Sequence, residues 1–268
     1  MSNLTHNAVQ TDTFTMNYFT FGKGSRPLVI LPGLSVKSVM GMAEAVEKEY
    51  AVMRDDFTVY LFDRRENLPE KYSVYDMAED TAEAMRRVGL RDVCLFGASQ
   101  GGMIAMCIAI GHPELVKKLA LGSTAADADA ADTGVIGKWI VLAKNGDRTA
   151  LNLAFGQAIY PAAVFEKFRG ALAAVATTVT DEELARFVIL AEGTAGFRVT
   201  DRLHDIKCPV LAIGSADDRV LGAGAMETIV AGLGGRPDFS YYIYDGFGHA
   251  AFDTAPDYRD RLHRFFIE

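Results

Sequence analysis

The sequence predicts an α/β fold, in which a mostly parallel sheet carries helices on both faces. Short, wholly apolar runs such as Pro27–Leu31 and Phe57–Phe62 are typical of strands that are covered on both sides. Segments with helical patterns separate these runs, and a regular alternation of strand and helix favours a parallel sheet. A long alanine-rich stretch, from 126 to 206, contains no convincing strand and indicates a helical insertion.

The composition indicates a protein with a large core and no preference for polyanions. Half of the 268 residues are hydrophobic, and the net charge is −8 without any basic run. This balance argues against nucleic acid or an anionic membrane surface as a partner. No apolar stretch reaches the ~20 residues of a membrane span, and Met1–Asp12 lacks a signal-peptide pattern. We therefore expect a soluble, cytoplasmic protein.

The cysteines point to a reducing environment. Cys94, Cys107 and Cys208 are far apart and lie mostly in predicted core. Their odd number and wide spacing favour reduced, buried thiols over disulfides. No cysteine–histidine cluster has the spacing of a zinc site, so we expect no metal.

Before the insertion, strands and helices are predicted in alternation. The elements in order are an edge strand or hairpin arm over Thr13–Phe21, strand Pro27–Leu31, a helical segment over Met40–Met53, strand Phe57–Phe62, a helix from Ser73 to Arg87, strand Val93–Ala98 with the helix after it, and strand Lys118–Gly122. Ser73 and Asp76 form a capping box that predicts the start of a helix. The charged cluster Asp63-Arg64-Arg65 is interpreted as fixing a loop by ion pairs, with substrate contact as the alternative.

The insertion is predicted to be all helical and to act as a lid. Its helices are expected over Val135–Lys144, Leu151–Tyr160, Ala163–Ala176 and Asp181–Ala191, the last begun at Thr180. Its apolar side chains either line a pocket or pack the insertion's own core: Ile136, Trp139, Leu153, Phe155, Phe165 and Phe168. The core is completed by strands over Pro209–Gly214 and Phe239–Tyr244 and by a helix over Pro256–Phe266. It then comprises residues 1–125 and 207–268.

The most informative motif is Gly-x-Ser-x-Gly at Gly97–Gly101. An apolar strand precedes it, and a segment that is apolar all round, as a buried helix is, follows it. This context places Ser99 on a tight strand-to-helix turn, where only glycine leaves enough room on either side. The turn lifts the hydroxyl of Ser99 clear of the sheet, as a nucleophile requires.

An acid and a histidine follow Ser99 in the chain, each just past a predicted strand. Asp217 and its neighbour Asp218 follow one strand, and His249 follows the last. Carboxyl ends of parallel strands share one edge of a sheet, where active sites are built. A neutral imidazole can take the serine proton, and a carboxylate holds the imidazole in the required tautomer. The other histidines have less suitable positions: His6, His112, His204 and His263.

Together these motifs resemble the α/β-hydrolase superfamily over nearly the whole chain, and most closely its cap-bearing esterase, lactonase and haloperoxidase-like branch. The resemblance rests on Leu31–Leu34, Asp63–Arg65, Gly97–Gly102, Gly214–Asp217 and Gly248-His249. It implies a sheet of the eight-stranded type and a catalytic triad of Ser99, Asp217 and His249, since the family's Gly-x-x-Asp spacing from Gly214 selects Asp217 over Asp218.

Two loops depart from the family pattern. The usual His-Gly after the third strand is Pro32-Gly33, and the usual Asp-x-Arg-Gly is Asp63-Arg64-Arg65-Glu66. The first loop still carries a backbone amide at the matching place. We therefore expect an oxyanion hole made by the amides of Leu34 and Gln100. Met103 and Trp139 are candidate pocket residues, although both types of side chain also serve as plain packing.

The expected function is that of a serine hydrolase. Its substrate would be an ester, thioester or lactone of a small, largely apolar acid, cleaved through an acyl-enzyme without metal or organic cofactor. A carbon–carbon bond hydrolase for diketones can use the same triad and is the alternative. A non-catalytic ligand-binding member of the fold is the alternative from a different class. The oligomeric state does not follow from the sequence.

Overall fold

A single sheet of eight strands spans the computed structural model, which describes residues 3–129 and 134–268. The strands are β1 (Thr5–Gln10), β2 (Thr15–Phe21), β3 (Arg26–Leu31), β4 (Phe57–Phe62), β5 (Val93–Ala98), β6 (Val116–Gly122), β7 (Val210–Ser215) and β8 (Phe239–Tyr244). Their order is β1-β2-β4-β3-β5-β6-β7-β8. Strands β3 to β8 are parallel, and β2 is antiparallel to both of its neighbours. The predicted mostly parallel sheet is therefore confirmed.

Ten α-helices accompany the sheet in the described part of the chain. They are α1 (Ala43–Glu49), α2 (Val74–Arg87), α3 (Gln100–Gly111), α4 (Gly134–Lys144), α5 (Arg148–Ile159), α6 (Ala162–Ala176), α7 (Asp181–Glu192), α8 (Ala223–Leu233), α9 (Ala251–Thr254) and α10 (Tyr258–Ile267). The capping box predicted at Ser73 is present, and the helix start predicted at Thr180 is also a capping box, because each hydroxyl accepts a hydrogen bond from the amide of the third helical residue.

The sheet is covered on both faces, as its apolar strands require. Along β3, Val29 and Leu31 belong to one buried cluster, whereas Leu28 and Ile30 belong to another. Successive side chains of a strand point to opposite faces, so the two clusters lie on opposite sides of the sheet. A strand that is apolar at every position is stable only in this setting.

Helices α4 to α7 and a short 3-10 helix over Thr200–Asp205 form the segment between β6 and β7. The four helices match the predicted ones to within three residues at either end. Hydrogen bonds attach α7 to the sheet edge: Arg186 donates to the Asp63 carboxylate at 2.9 Å, and the Leu190 carbonyl accepts from the Gln100 side chain at 2.6 Å. Division of the chain at 126 and 206 into core and lid remains a prediction. Residues 1–2 and residues 130–133 of the predicted insertion lie outside the described residues.

Four elements differ from the sequence prediction. Strand β1 lies within residues 1–12, where the sequence predicts no element, because an edge strand paired on one side buries little more than Val9. The helix expected over Met40–Met53 is α1 between two short 3-10 turns. Helices α8 and α9 have no counterpart in the prediction. No helix in the described ranges is long and apolar enough to cross a membrane.

Candidate active site

Ser99 occupies the turn between β5 and α3, as the motif predicts. Its backbone has φ 53° and ψ −123°, a left-handed conformation that costs a residue with a side chain about 1–3 kcal/mol. A Cβ on Gly97 would lie 2.3 Å from the Gly101 carbonyl oxygen, and one on Gly101 would lie 2.1 Å from the Leu31 oxygen. The flanking glycines are therefore required by close backbone approach on both sides of the turn.

Asp218, and not Asp217, is the acid that contacts His249. The Asp218 Oδ2 atom lies 2.8 Å from His249 Nδ1, and both side chains are buried. Amides of Val220 and Leu221 donate to the other carboxylate oxygen at 2.8 and 3.1 Å, which fixes the carboxylate in the loop after β7. Since Nδ1 donates its proton to the carboxylate, Nε2 of His249 is the nitrogen free to accept one.

The expectation that Asp217 holds the histidine is therefore wrong on geometry. Its Oδ1 atom accepts from the Ser215 hydroxyl at 2.6 Å, and both of its oxygens accept from the Gly248 amide at 3.1 Å. Asp217 thus ties the end of β7 to the turn that precedes His249. Two adjacent carboxylates in one loop point in different directions, and residue spacing alone does not show which one reaches the imidazole.

Both carboxyl groups are stabilised in their ionised form. Burial acts to raise the pKa of Asp218, but the facing His249 and the amides of Leu221 and Val220 outweigh it and lower that pKa. Burial also acts to raise the pKa of Asp217, but hydrogen bonds from Ser215 and from the Gly248 amide outweigh it and lower that pKa. The Asp218 carboxylate therefore keeps its negative charge beside Nδ1, where this charge stabilises a protonated His249 imidazole.

The two amides expected to form an oxyanion hole belong to the residues that follow Gly33 and Ser99. Gly33, in the loop after β3, is so close that a Cβ there would lie 3.1 Å from Ser99 Cβ. The amides of Leu34 and Gln100 donate to no acceptor within residues 3–129 or 134–268. Gln100 begins α3, so its amide also carries the positive end of the helix dipole. Both residues line the cavity that Ser99 opens into.

Arg64 holds this loop in place. Its guanidinium is buried and donates to the Pro32 carbonyl at 2.8 Å and to the Gln100 side chain at 3.3 Å. Burial lowers the pKa of Arg64 to about 10, so the group remains charged at neutral pH. Asp63 accepts from Arg186 of α7 and from the Ser38 hydroxyl at 2.5 Å. The interpretation of the charged cluster as a loop anchor is confirmed, and Arg64 anchors the predicted oxyanion loop.

A cavity of about 560 Å³ connects these groups. Ser99, His249 and the amide-bearing loop line it together with Met103 and Trp139, the two candidate pocket residues. Ile136 and Phe155 of the helical segment also line it. Three other side chains of that segment are not part of its lining: Leu153, Phe165 and Phe168. The volume suits a small organic molecule, since ligand pockets usually measure about 300–1,000 Å³.

The remaining histidines lie away from this cavity. His112 contacts Glu79 and Arg86, His204 contacts Asp205, His263 contacts Asp56, and His6 lies in β1. Within the described residues no cluster of three or more metal-binding side chains is present. The cavity therefore brings together the Ser99 hydroxyl, the oriented imidazole of His249 and two amides without an acceptor in the described residues, which is the set needed to attack a carbonyl and stabilise its oxyanion.

Comparison with known proteins agrees with this fold. The family model described as "alpha/beta hydrolase fold" matches residues 26–256. The chain is 26% identical to the putative carbamate hydrolase RutD of Serratia proteamaculans, over 88% of this chain and 91% of that protein. Among solved structures, MGS-M2, an α/β hydrolase enzyme from a Medee basin deep-sea metagenome library, has a TM-score of 0.84, 18% identity and 98% coverage of both chains. The enol-lactonase of Burkholderia xenovorans LB400 has a TM-score of 0.81 at 18% identity, over 98% of this chain and 100% of that one.

Proposed function

The chain belongs to the α/β-hydrolase fold family, and from this premise we propose that it is a serine hydrolase with Ser99, His249 and Asp218 as its triad. The observation that carries the proposal is the oriented imidazole: Asp218 holds His249 Nδ1 at 2.8 Å, and both Ser99 and His249 line one cavity. The substrate is an ester, thioester or lactone of a small, largely apolar acid. No step of this chemistry requires a metal or an organic cofactor.

Each group has one role in the proposed reaction. His249 Nε2 takes the proton of Ser99 as its oxygen attacks the carbonyl carbon, and the Leu34 and Gln100 amides stabilise the oxyanion. Collapse of the tetrahedral intermediate expels the alcohol, thiol or ring oxygen, which receives the proton from His249. Water then hydrolyses the acyl-enzyme by the same route and frees Ser99.

The helical segment between β6 and β7 acts as a cap that limits substrate size. Trp139 packs on Phe155 with ring centroids 4.4 Å apart, and both rings line the cavity. The ties of Arg186 to Asp63 and of Gln100 to Leu190 hold the cap against the sheet edge that carries Ser99. A cap fixed in this way gives the cavity a definite end, so the acyl chain has a definite maximum length.

A carbamate is the second candidate substrate class. The observation that favours it is the likeness to RutD of Serratia proteamaculans, named a putative carbamate hydrolase, over most of both chains. A carbamate carbonyl requires the same nucleophile, base and oxyanion donors as an ester carbonyl. The carbonyl of a carboxylic ester carries a carbon group, whereas the carbonyl of a carbamate carries a nitrogen. The mostly apolar lining of the cavity favours the carbon group.

A substrate panel tests the proposal. We expect the wild-type protein to hydrolyse nitrophenyl esters of short acids, with an abrupt fall beyond a certain chain length, and a simple lactone. Ser99→Ala removes this activity, whereas Ser240→Ala, at an exposed serine on β8, retains it. A carbamate cleaved faster than every ester favours the second candidate. A diketone cleaved faster than every ester indicates a carbon–carbon bond hydrolase, and no turnover of any compound indicates a ligand-binding protein.

A further inference from the structure

One carboxylate in the cavity has no part in the chemistry described so far. Asp253 belongs to the short helix α9, four residues after His249, and lines the same cavity. The residue is exposed and belongs to the cavity lining, so part of its surface faces the cavity. Most of the other residues that line this cavity are apolar. A charged group among apolar neighbours is costly unless it is paired and hydrogen-bonded.

Within residues 3–129 and 134–268, this carboxylate has no direct ion pair. Arg259 is the cation that attracts it, but its guanidinium contacts the Glu49 carboxylate at 3.3 Å and the backbone carbonyl of Asp253 at 3.0 Å. Among the described residues, no lysine, arginine or histidine forms an ion pair with the Asp253 side chain. The Tyr160 hydroxyl, at the end of α5, is the side-chain donor that faces it.

The surroundings of Asp253 raise its pKa to about 6. Burial is the largest cause and Glu49 adds to it, whereas Arg259, Tyr160 and His249 act in the opposite direction. The group is therefore ionised at neutral pH but held in surroundings that favour its neutral form. A cation beside the carboxylate opposes this effect, because it stabilises the ionised form directly.

We propose that Asp253 is a specificity residue that binds an alkylammonium group of the substrate while Ser99 attacks the carbonyl. This inference rests on the proposed function and narrows its substrate class to amino- or ammonium-bearing esters or lactones. The Tyr160 hydroxyl supports the carboxylate from one side, and the apolar walls contact the alkyl part of the ligand. A protein with a net charge of −8 also attracts cationic substrates at long range.

Two pairs of isosteric esters test the inference. In the first pair the acid carries the charge: nitrophenyl trimethylammoniobutyrate is compared with the ester in which carbon replaces the nitrogen. In the second pair the alcohol carries it: butyrylcholine is compared with dimethylbutyl butyrate. We expect the wild-type protein to prefer the charged member of at least one pair in kcat/KM. Because the two members have the same shape, the preference reports charge alone.

Asp253→Asn should remove this preference. Loss of the charge attraction between the carboxylate and the ammonium group should lower kcat/KM for the charged ester by about 10- to 100-fold. The neutral ester should change by less than about threefold, because Asn fills the same volume. Asp260→Asn, at an exposed carboxylate on α10, is the control and should leave both rates unchanged.

Calorimetric binding of butyltrimethylammonium to Ser99→Ala, with and without Asp253→Asn, separates the two proposals. Binding that requires Asp253 without hydrolysis of any ester supports the cation site and contradicts the proposed hydrolase. Ser99-dependent hydrolysis without charge preference, and without Asp253-dependent binding, overturns the cation site and leaves the hydrolase standing. Equal loss of charged and neutral activity in Asp253→Asn also overturns the inference, since it indicates a general structural role.

Discussion

Asp218→Asn tests the most specific feature of the site, the contact between Asp218 and His249. The 2.8 Å contact is buried, and the second carboxylate oxygen is fixed by two amides. An asparagine in this setting presents its NH₂ to Nδ1, which places the imidazole proton on Nε2 and prevents it from accepting the serine proton. In serine proteases the same change lowers kcat by about 10⁴, or about 5 kcal/mol of activation free energy.

Asp217→Asn provides the matched comparison one residue away. Its carboxylate accepts from Ser215 and from the Gly248 amide, and Asn retains one oxygen for these donors. We expect a loss of kcat of tenfold or less and a decrease in unfolding free energy of about 1 kcal/mol. The assay is kcat/KM for a short nitrophenyl ester, with thermal unfolding of both variants as the folding control. A larger loss for Asp217→Asn than for Asp218→Asn, in two folded proteins, refutes the assignment.

Three further predictions concern the surroundings of the triad. Asp253→Asn should raise the melting temperature at about pH 8 but not at about pH 4. Folding raises the pKa of this acid from 3.8 to about 6, so the folded state loses stability only where the acid is ionised. This loss is at most about 3 kcal/mol, and water in the cavity reduces it. Arg64→Lys should lower the steady-state kcat by about tenfold with little change in KM. The effect is smaller than the loss of about 10²–10³ in kcat caused by removing a direct oxyanion donor, because Arg64 acts only through the loop. A change in KM alone contradicts this role. Trp139→Ala should extend the accepted acyl chain in an ester series, whereas Val141→Ala, exposed on the same helix, should not; an unmoved limit contradicts the cap.

The sheet and the nucleophile are predictable from sequence because their signals are local. Runs that are wholly apolar, such as Pro27–Leu31 within β3, have few alternatives to a strand covered on both faces. The Ser99 turn is equally constrained, since Gly97 and Gly101 are the residues that a left-handed serine between a strand and a helix requires. The capping boxes at Ser73 and Thr180 are also local, and they mark the starts of α2 and α7 correctly.

The features that sequence analysis left open or missed depend on contacts between distant segments. Asp218 is chosen over Asp217 by the conformation of the loop after β7, where amides at 220 and 221 donate to one oxygen. The charged cluster indicates an anchor, but that Arg64 holds the Pro32 loop follows only from the position of that loop beside the end of β4. Asp253 faces a cavity only because α5 packs on the turn after His249, where the Ala250 amide donates to the Ile159 carbonyl at 2.9 Å. No pattern along the chain signals this last position.

Covalent labelling of Ser99 tests the central claim, that this hydroxyl is the activated nucleophile of a hydrolase. The purified protein is treated with a fluorophosphonate probe, and both the adduct site and the residual ester hydrolysis are measured. Our account predicts a single adduct on Ser99, loss of activity in proportion to labelling, and neither adduct nor activity in Ser99→Ala. An adduct on another residue, or full activity in Ser99→Ala, contradicts the account.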